Sequence, residues 1–365
     1  AKRTTKITHM SLLTLLQAKR TNLRPTVTVV RPHPCIQTGM ESLGLSALGG
    51  TIEREHEEQE ETTMERARET ARALEVAKHA VIYTGAGVST STGISDYRGP
   101  NGVWTSLAEG RIPDEQFDIT SAQPSYTHMA IVKLVEEKIC HFVTSTNLDG
   151  LHYKSGLTPM ENLSEMHGSI FCERCPRCQH DELRPFPIRR GGALAAGTTE
   201  HPRMTGRHCK CGGGFMDSGI DFGQSLPMRH LGLAESHAKL SDFSLIVGTS
   251  MRVAPASELP FQNGQQACIV NMMDTPKDNA ATIRCYGKSD TFFYHLMNEL
   301  GLEVKMPPSK EEMEESGRRC LSATEMKKLA AVHLPTRGDR EYVGKAQRER
   351  QMAEALFMVE EELIR

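Results

Sequence analysis

Two short segments carry residues that suit proton transfer and the binding of polar groups. In residues 145–152, STNLDGLH, Asn147 and Asp149 could hold a carboxamide and ribose hydroxyls, or could equally form an Asx turn. In residues 165–168, EMHG, His167 could act as a general base because an imidazole titrates near neutral pH. A lone histidine is more often structural, but the glycine after His167 and the cysteine-rich segment that follows favour a catalytic role.

A glycine-rich turn, GAGVS at residues 85–89, directly follows the apolar run Ala80–Thr84. Gly85 and Gly87 would let backbone N–H groups approach a pyrophosphate at the start of a following helix. The spacing departs from the fingerprint G-x-G-x-x-G at Thr90, and no acidic residue stands about 20 positions further on at a strand end, which argues against an ordinary dehydrogenase. A tight turn without a ligand is the alternative.

The segment SDYRGPNGVW, residues 95–104, combines loop-forming residues with an acid, a base and the only tryptophan of the chain. A polar loop with aromatic side chains beside a phosphate-binding turn is typical of a mobile lid. An ordinary surface turn is the alternative interpretation.

Half of the ten cysteines lie within residues 172–211. Such clustering favours metal binding over disulfides. A C-x₂-C pair is followed about thirty residues later by an irregular C-x-C pair, and two such pairs offer zinc a closed, structural site of four sulfur atoms. The predicted ligands are Cys175, Cys178, Cys209 and Cys211. His208 with Cys211 is the alternative second pair.

Four short apolar runs, each followed at once by small or polar residues, predict buried parallel strands. They are Ala80–Thr84, Ile139–Ser145, Ser244–Gly248 and Ala267–Asn271. Helical stretches such as Tyr126–Lys138 and Thr291–Leu300 separate or follow them. The pattern predicts an α/β fold with a Rossmann-like, doubly wound parallel sheet, in which ligands bind at the carboxyl ends of the strands.

Composition predicts the domain boundaries. Residues 78–168 and 217–303 would form the Rossmann-like domain, and residues 169–216, poor in core-forming side chains, an inserted module that zinc must staple. Residues 51–77 favour a flanking helix, and residues 304–365 a charged tail that ends in an amphipathic helix.

The charge and hydropathy of the chain exclude some functions. A formal net charge of −3 gives no reason to expect nucleic acid as the main ligand. No apolar run reaches the ~18–20 residues of a membrane-spanning helix, which also argues against a secretory signal. Residues 1–50 predict a disordered basic arm, although their acid-poor, hydroxyl-rich composition also resembles a mitochondrial transit peptide.

Together, and in this order, these segments resemble the sirtuin (Sir2) family of NAD-dependent protein deacylases over roughly residues 78–303. GAGVS followed by DYRGPNGVW is most similar to the sirtuin 6 and sirtuin 7 branch. Further matching segments are DFGQSLP at 221–227, GTSMRVAPA at 248–256 and IVN at 269–271. The resemblance implies NAD, a structural zinc ion and removal of acyl groups from protein lysines, with histones among the candidate substrates.

The resemblance also implies roles for single residues. His167 and Asn147 would be catalytic, and Ile220 and Phe222 would line the tunnel and groove for the acyl-lysine. Asn271 would hold the adenosine half of NAD with the 248–250 turn. The full set that would bind NAD is Gly85, Ala86, Gly87, Ser89, Asp96, Tyr97, Arg98, Trp104, Thr146, Asn147, Asp149, Gly248, Thr249, Ser250, Asn271 and Ser289.

Several positions depart from the family pattern. Thr146 stands where the family usually has glutamine, Ser95 where it has proline and Gln224 where it has glutamate. The change at Thr146 removes an amide that would face the ribose. Asp221 lies beside the expected acyl tunnel, where a carboxylate could select a charged or polar acyl group or point to solvent.

Two other functions remain open from the sequence. Mono-ADP-ribosyl transfer to protein would use the same site, and a zinc-stapled NAD-binding or chromatin scaffold with weak catalysis would fit Thr146 and Asp221. The branch resemblance implies a nuclear location, with mitochondria as the alternative. Direct nucleic-acid binding is left open, and the C-terminal helix could support an oligomer.

Overall fold

The structure, a computed structural model, describes residues 55–108, 119, 122–184, 186–188, 204–220 and 224–307. The predicted basic arm at residues 1–50 and the predicted C-terminal amphipathic helix lie outside the described residues. Asp221 and Phe222, both predicted to lie at the acyl-lysine site, also lie outside them.

The described residues contain ten strands and six α-helices. The strands are β1 (Ala80–Thr84), β2 (Cys140–Ser145), β3 (Leu163–Glu165), β4 (Cys172–Arg174), β5 (Asp181–Leu183), β6 (Met204–His208), β7 (Gly214–Asp217), β8 (Phe243–Val247), β9 (Gln266–Val270) and β10 (Ile283–Cys285). The helices are α1 (Glu60–Val76), α2 (Val103–Ala108), α3 (Tyr126–Glu136), α4 (Leu151–Lys154), α5 (Met228–Leu240) and α6 (Ser289–Glu299). None of the described helices is long and apolar enough to cross a membrane.

The main sheet has the strand order β10-β9-β8-β1-β2-β3, and all its pairs are parallel. This is the doubly wound, Rossmann-like order that reverses between β1 and β8, so the predicted fold class is confirmed. The sheet belongs to a compact unit formed by Ala1–Gly168 and Gly219–Val304.

The central strands are apolar because both of their faces are covered. Ile82 and Leu245 lie in a core cluster that includes residues of α1, α3 and α6, whereas Val81 and Ile246 lie in a cluster that includes residues of α5. A strand buried on both faces reads as a continuous apolar run rather than an alternation, which is why the sequence identifies β1, β2, β8 and β9.

The outer strands β3 and β10 are not predicted from the sequence. Each has three residues, and β3 includes the polar Ser164 and Glu165, both buried. A strand this short has no periodicity to detect, and it exists because β2 or β9 supplies its backbone partners.

Ser169–Ser218 belongs to a second compact unit, which carries a four-stranded antiparallel sheet in the order β5-β4-β7-β6. Glu173 on β4 is fully buried and is held by the guanidinium groups of Arg184 and Arg207. A buried carboxylate is tolerated because two cations pair with it, in a module with few apolar side chains.

Two buried histidines lie against each other beside β1. His128 in α3 and His152 in α4 are at most 1% exposed, and their ring centroids are 4.7 Å apart. His152 Nε2 lies 2.7 Å from Thr84 Oγ1, and His128 Nδ1 lies 2.8 Å from Ser125 Oγ. Burial lowers the pKa of His128 to about 3, and burial together with His128 lowers the pKa of His152 well below its usual value.

We therefore expect the protein to lose stability as the pH falls below about 6.5, the ordinary pKa of histidine. Because both folded-state pKa values are lowered, the unfolded chain binds more protons below that pH, and stability present at pH 7 is lost. Each histidine contributes about 1.4 kcal/mol per pH unit to the loss. Urea unfolding at pH 7 and pH 5.5 measures this dependence.

Two variants test the origin of that dependence. His128→Asn should lower by about one the number of protons that the chain takes up on unfolding, and the pH dependence should become correspondingly shallower. His56→Asn, which changes a side chain that is 54% exposed, is the control variant. The same pH dependence in His128→Asn as in the unaltered protein would contradict the assignment to the buried pair.

Candidate active site

Two turns meet at the carboxyl ends of the neighbouring strands β1 and β8. Gly87 N–H donates to Gly248 O at 2.8 Å, and Gly85 N–H donates to Val247 O at 3.1 Å. A Cβ atom on Gly87 would lie 2.7 Å from Gly248 Cα, and Gly248 has a φ of +61°. Glycine is therefore required for the turns to approach each other, and residues 85–89 lie beside residues 248–250.

The chain does not enter an α-helix after this glycine turn, contrary to the prediction. It makes two short 3₁₀ turns, Ala86–Val88 and Thr90–Thr92. Thr90 Oγ1 donates to Gly87 O and Thr92 Oγ1 donates to Ser89 O, so hydroxyl groups compete for the carbonyls that a helix would use. The predicted helix start after the glycine turn is therefore wrong, and a turn stands in its place.

A buried polar network joins the glycine turn to the segment after β2. Ser89 Oγ donates to Asp149 Oδ2 at 2.7 Å, and Asn147 Nδ2 donates to Ser89 Oγ at 3.3 Å. Leu151 N–H donates to Asp149 Oδ1 at 2.8 Å. Ser89 is 0% exposed, and Asn147 and Asp149 are each 5% exposed. Burial raises the pKa of Asp149, while its hydrogen bonds with Leu151 and Ser89 oppose the rise.

His167 lies two residues past Glu165, the last residue of β3. Its Nδ1 is 3.1 Å from Thr146 O, and since a carbonyl oxygen can only accept, Nδ1 carries the proton. Nε2 then keeps its lone pair. Burial lowers the pKa of His167, with the bond to Thr146 opposing, so the ring is neutral at pH 7.

Thr146 is therefore bound on two sides. Its hydroxyl donates to Thr84 O at 3.2 Å, and its carbonyl oxygen accepts a hydrogen bond from His167 Nδ1–H. The side chain that replaces the family's usual glutamine fastens the end of β2 to β1, and its backbone sets the tautomer of His167. Ile220 N–H donates to His167 O at 2.9 Å, which places the predicted tunnel residue next to His167.

The segment 96–104 folds onto itself as a compact loop. Asp96 accepts from Gly99 N–H, and Trp104 N–H donates to Tyr97 O at 2.9 Å. The guanidinium of Arg98 lies 4.4 Å from the ring centroid of Trp104 and donates to Ser250 Oγ at 3.3 Å. Burial, and then the charge of Asp149, raises the pKa of Tyr97 to about 12, while burial raises the pKa of Asp96.

Asn271 and Ser289 follow β9 and β10, the strands of the other half of the sheet. Asn271 directly follows β9 and is 7% exposed, and its Nδ2 donates to Met273 O at 2.8 Å. Ser289 is the first residue of α6. Gly248 N–H donates to Val270 O, which brings the predicted adenosine-binding residues 248–250 and Asn271 to the same edge.

In the second unit, four thiols converge. The sulfur atoms of Cys175, Cys178, Cys209 and Cys211 lie within 4.8 Å of one another. The group contains neither His208 nor Cys172, so the geometry agrees with the four predicted cysteine ligands and not with the alternative pair of His208 and Cys211. Four soft sulfur donors suit a closed tetrahedral zinc site.

The two glycines that follow the irregular C-x-C pair allow its thiols to approach those of Cys175 and Cys178. Gly212 has a φ of +83°, and a Cβ on Gly213 would lie 2.8 Å from Cys175 Sγ. Cys209 N–H donates to Gly213 O at 2.7 Å, which closes the knuckle. The Gly213 N–H lowers the pKa of the Cys211 thiol to about 7, which favours the thiolate that zinc binds.

Two residues that hold the predicted NAD-binding residues in place were not identified from the sequence. Ser145 Oγ accepts from Asn147 N–H at 3.1 Å, and Arg284 binds the loop that contains Asn271. A signal existed only for Arg284, as a cation between apolar residues in the segment IRC. Ser145 has no such signal because a buried serine at a strand end is common.

A family model, several relatives and solved structures that are similar to this chain all belong to the sirtuins. The model of the Sir2 family matches residues 114–255, a range that contains His167, Asn147 and the four cysteines. NAD-dependent protein deacetylase sirtuin-7 of Mus musculus is 40% identical over 252 residues, which cover 66% of this chain and 60% of the relative. NAD-dependent protein deacetylase Sirt6 of Drosophila melanogaster is 33% identical over 249 residues, covering 67% of this chain and 78% of the relative.

The extent of these matches differs among relatives. NAD-dependent protein deacetylase SRT1 of Arabidopsis thaliana is 40% identical over 247 residues, and the chain spans only 50% of its length. Among solved structures, Sir2 with a deacetylated p53 peptide and 3'-O-acetyl ADP ribose has a TM-score of 0.51 and 26% identity. That match covers 65% of this chain and 99% of the other.

Proposed function

Since the chain belongs to the Sir2 family, we propose that it is an NAD-dependent protein lysine deacylase. It transfers the acyl group from a lysine side chain of a protein to ADP-ribose and releases nicotinamide. The observation that carries the proposal is His167, neutral and held by Thr146 O, in the same unit as the buried Ser89–Asn147–Asp149 network.

The residues present fit NAD at the carboxyl ends of the strands. The glycine turns at 85–89 and 248–250 lie in contact where the strand order reverses, the place where a doubly wound sheet binds a dinucleotide. Arg98 supplies a cation at that edge, beside Ser250. On this proposal Ala86, Gly87, Ser89 and Arg98 contact the phosphates and the nicotinamide end.

Asn147 and Asp149 are proposed to order the nicotinamide ribose and carboxamide. Their positions are set before NAD binds, because Ser89 Oγ bridges the two side chains and Leu151 N–H holds the carboxylate. A preset polar group loses little conformational entropy on binding and keeps the reacting sugar in one orientation. Tyr97, packed on Trp104, would cover the sugar once nicotinamide has left.

His167 is proposed to remove one proton from a ribose hydroxyl. NAD bound here would supply the ribose carbon that nicotinamide leaves and the hydroxyl group that takes over the acyl group, and water would be consumed as the lysine is freed. His167 suits the proton step because its Nε2 keeps the lone pair and its lowered pKa keeps the ring neutral.

Acylated lysines of proteins are the proposed substrates, and histones are the first to test. The Sir2 structure with a deacetylated p53 peptide supports a peptide substrate of this kind. A nuclear location stays a prediction, with mitochondria as the alternative. Imaging the full chain against a chain lacking residues 1–50 distinguishes the two compartments.

Mass spectrometry of the products tests the proposed function. The zinc-loaded protein is incubated with NAD and peptides whose lysine carries an acetyl, a propionyl, a long-chain or a negatively charged acyl group, with the unacylated peptide as control. We expect acyl-ADP-ribose, nicotinamide and free peptide from at least one acyl type. No acyl-ADP-ribose from any of them would contradict the proposal.

The same experiment separates the alternatives. ADP-ribose attached to protein without an acyl substrate would instead indicate mono-ADP-ribosyl transfer. Normal NAD binding by calorimetry, with no turnover in the product analysis, would indicate a scaffold.

A further inference from the structure

The loop between β9 and β10 lies at the carboxyl edge of the half of the sheet formed by β8, β9 and β10. In a sheet of this order each half binds one mononucleotide, so this edge receives the second nucleotide of NAD. Asn271 opens the loop, and its N–H donates to Cys285 O at 3.0 Å. The path of the backbone from Asn271 to Met273 therefore decides where the Asn271 side chain stands.

A single guanidinium fixes that path from the inside. Arg284 Nη1 donates to Asn271 O at 2.8 Å and to Cys285 O at 2.6 Å, and Arg284 Nη2 donates to Met273 O at 2.8 Å. Met273 O also accepts from Asn271 Nδ2. The same guanidinium thus holds the Asn271 backbone and the acceptor that orients the Asn271 side chain.

Arg284 is itself fixed in place on two sides. It forms an ion pair with Asp278, whose Oδ1 lies 2.9 Å from Nε without the alignment of a hydrogen bond, and its guanidinium carbon lies 3.7 Å from the ring centroid of Tyr286. Asp278 in turn accepts from Thr275 N–H and Thr275 Oγ1, which closes the loop around the cation. The Arg284 side chain is only 14% exposed, so these contacts exchange little with water.

The contacts of Arg284 depend on the planar shape of its guanidinium group. A planar guanidinium can donate to several carbonyls in one plane while its face stacks on an aromatic ring, and lysine can do neither. The side chain lies in β10, which is an edge strand with β9 as its partner. An arginine at this place contributes little to the apolar core, and the loop is the element that it organises.

We propose that Arg284 is a positioning residue for the adenosine half of NAD, acting through the Asn271–Met273 backbone. The proposal rests on the proposed function, because it takes NAD as the ligand of this edge. Arg284 does not contact the reacting atoms in this scheme. Its loss displaces Asn271, which weakens nucleotide binding and leaves the chemistry at His167 intact.

The test compares Arg284→Gln, Arg284→Lys and the unaltered full chain. Arg284→Gln should raise the KM for NAD by about tenfold, the usual effect of losing a hydrogen bond from a charged donor that holds a binding group in place. The kcat and the KM for the acyl peptide should change by less than about twofold. Calorimetry with ADP-ribose should give a Kd weakened by the same factor as the KM, independently of turnover.

Arg284→Lys should recover part of the affinity, because lysine keeps the charge opposite Asp278 but not the planar set of donors. Arg68→Gln is the matched control, because Arg68 pairs with Glu299 on the surface. This variant should bind ADP-ribose as tightly as the unaltered chain does. Asp278→Asn is the second route should Arg284→Gln fail to fold. It removes the carboxylate that holds the Arg284 guanidinium against the loop, and the Kd should rise by about threefold because the guanidinium then holds the Asn271 and Met273 carbonyls less firmly.

The proposal is overturned when a folded Arg284→Gln or Asp278→Asn protein binds ADP-ribose as tightly as the unaltered chain. It is also overturned when Arg284→Gln loses kcat and retains its affinity for NAD. Failure of the proposed function looks different, because the unaltered protein would then form no acyl-ADP-ribose at all.

Discussion

Replacing His167 with alanine should reduce acyl-ADP-ribose formation by about a hundredfold to ten-thousandfold, the usual contribution of a general base. No other group would then take the proton from the ribose hydroxyl. Binding of ADP-ribose should be retained, because the Ser89–Asn147–Asp149 network does not involve the His167 side chain. Product rates by mass spectrometry and ADP-ribose binding by calorimetry measure the two effects separately.

The pH dependence of the unaltered protein offers an independent check on His167. The base must be neutral, so kcat/KM should fall as the pH drops through its pKa. Burial lowers that pKa, and the acid limb should therefore lie below about 6.5. His295→Ala is the control, since His295 pairs with Glu60 between α6 and α1. Normal turnover in His167→Ala, or equal loss in His295→Ala, would contradict the assignment.

Removing one zinc ligand should unfold the second unit. Cys178→Ser takes one thiol from a group whose four sulfur atoms lie within 4.8 Å of one another. Zinc binding supplies about 10–16 kcal/mol of folding free energy in small zinc modules, far more than an insert with so few apolar side chains can replace. We expect the zinc content to fall from one per chain to near zero. Metal analysis measures the content, and amide hydrogen exchange in β6 and β7 measures the unfolding.

Cys172→Ser is the matched control for this prediction. Cys172 is a buried cysteine of the same unit that lies outside the four-sulfur group. The variant should keep one zinc ion and slow amide exchange. A Cys178→Ser protein that retains zinc, or a Cys172→Ser protein that loses it, would contradict the assigned ligands.

Much of the fold could be predicted from local sequence. Runs such as Ala80–Thr84 are apolar at every position because both faces of the strand are buried, and burial leaves this trace in composition. The C-x₂-C spacing of Cys175 and Cys178 likewise follows from the geometry of one metal ion. By contrast, the helix predicted after Gly85 is absent, since Thr90 and Thr92 use their hydroxyls on nearby carbonyls.

The sequence by itself determined the residue types of the site and their order: a glycine turn, an Asn–Asp pair, a histidine and paired cysteines. It could not determine which atoms meet. The bond from Ser89 to Asp149 spans sixty residues, and it forms because β1 and β2 are parallel neighbours whose ends coincide. The tautomer of His167 depends on a backbone carbonyl at Thr146, which no side-chain pattern reveals. Tertiary structure decided these points because hydrogen bonds join groups that strand order and register bring together, whatever their distance along the chain.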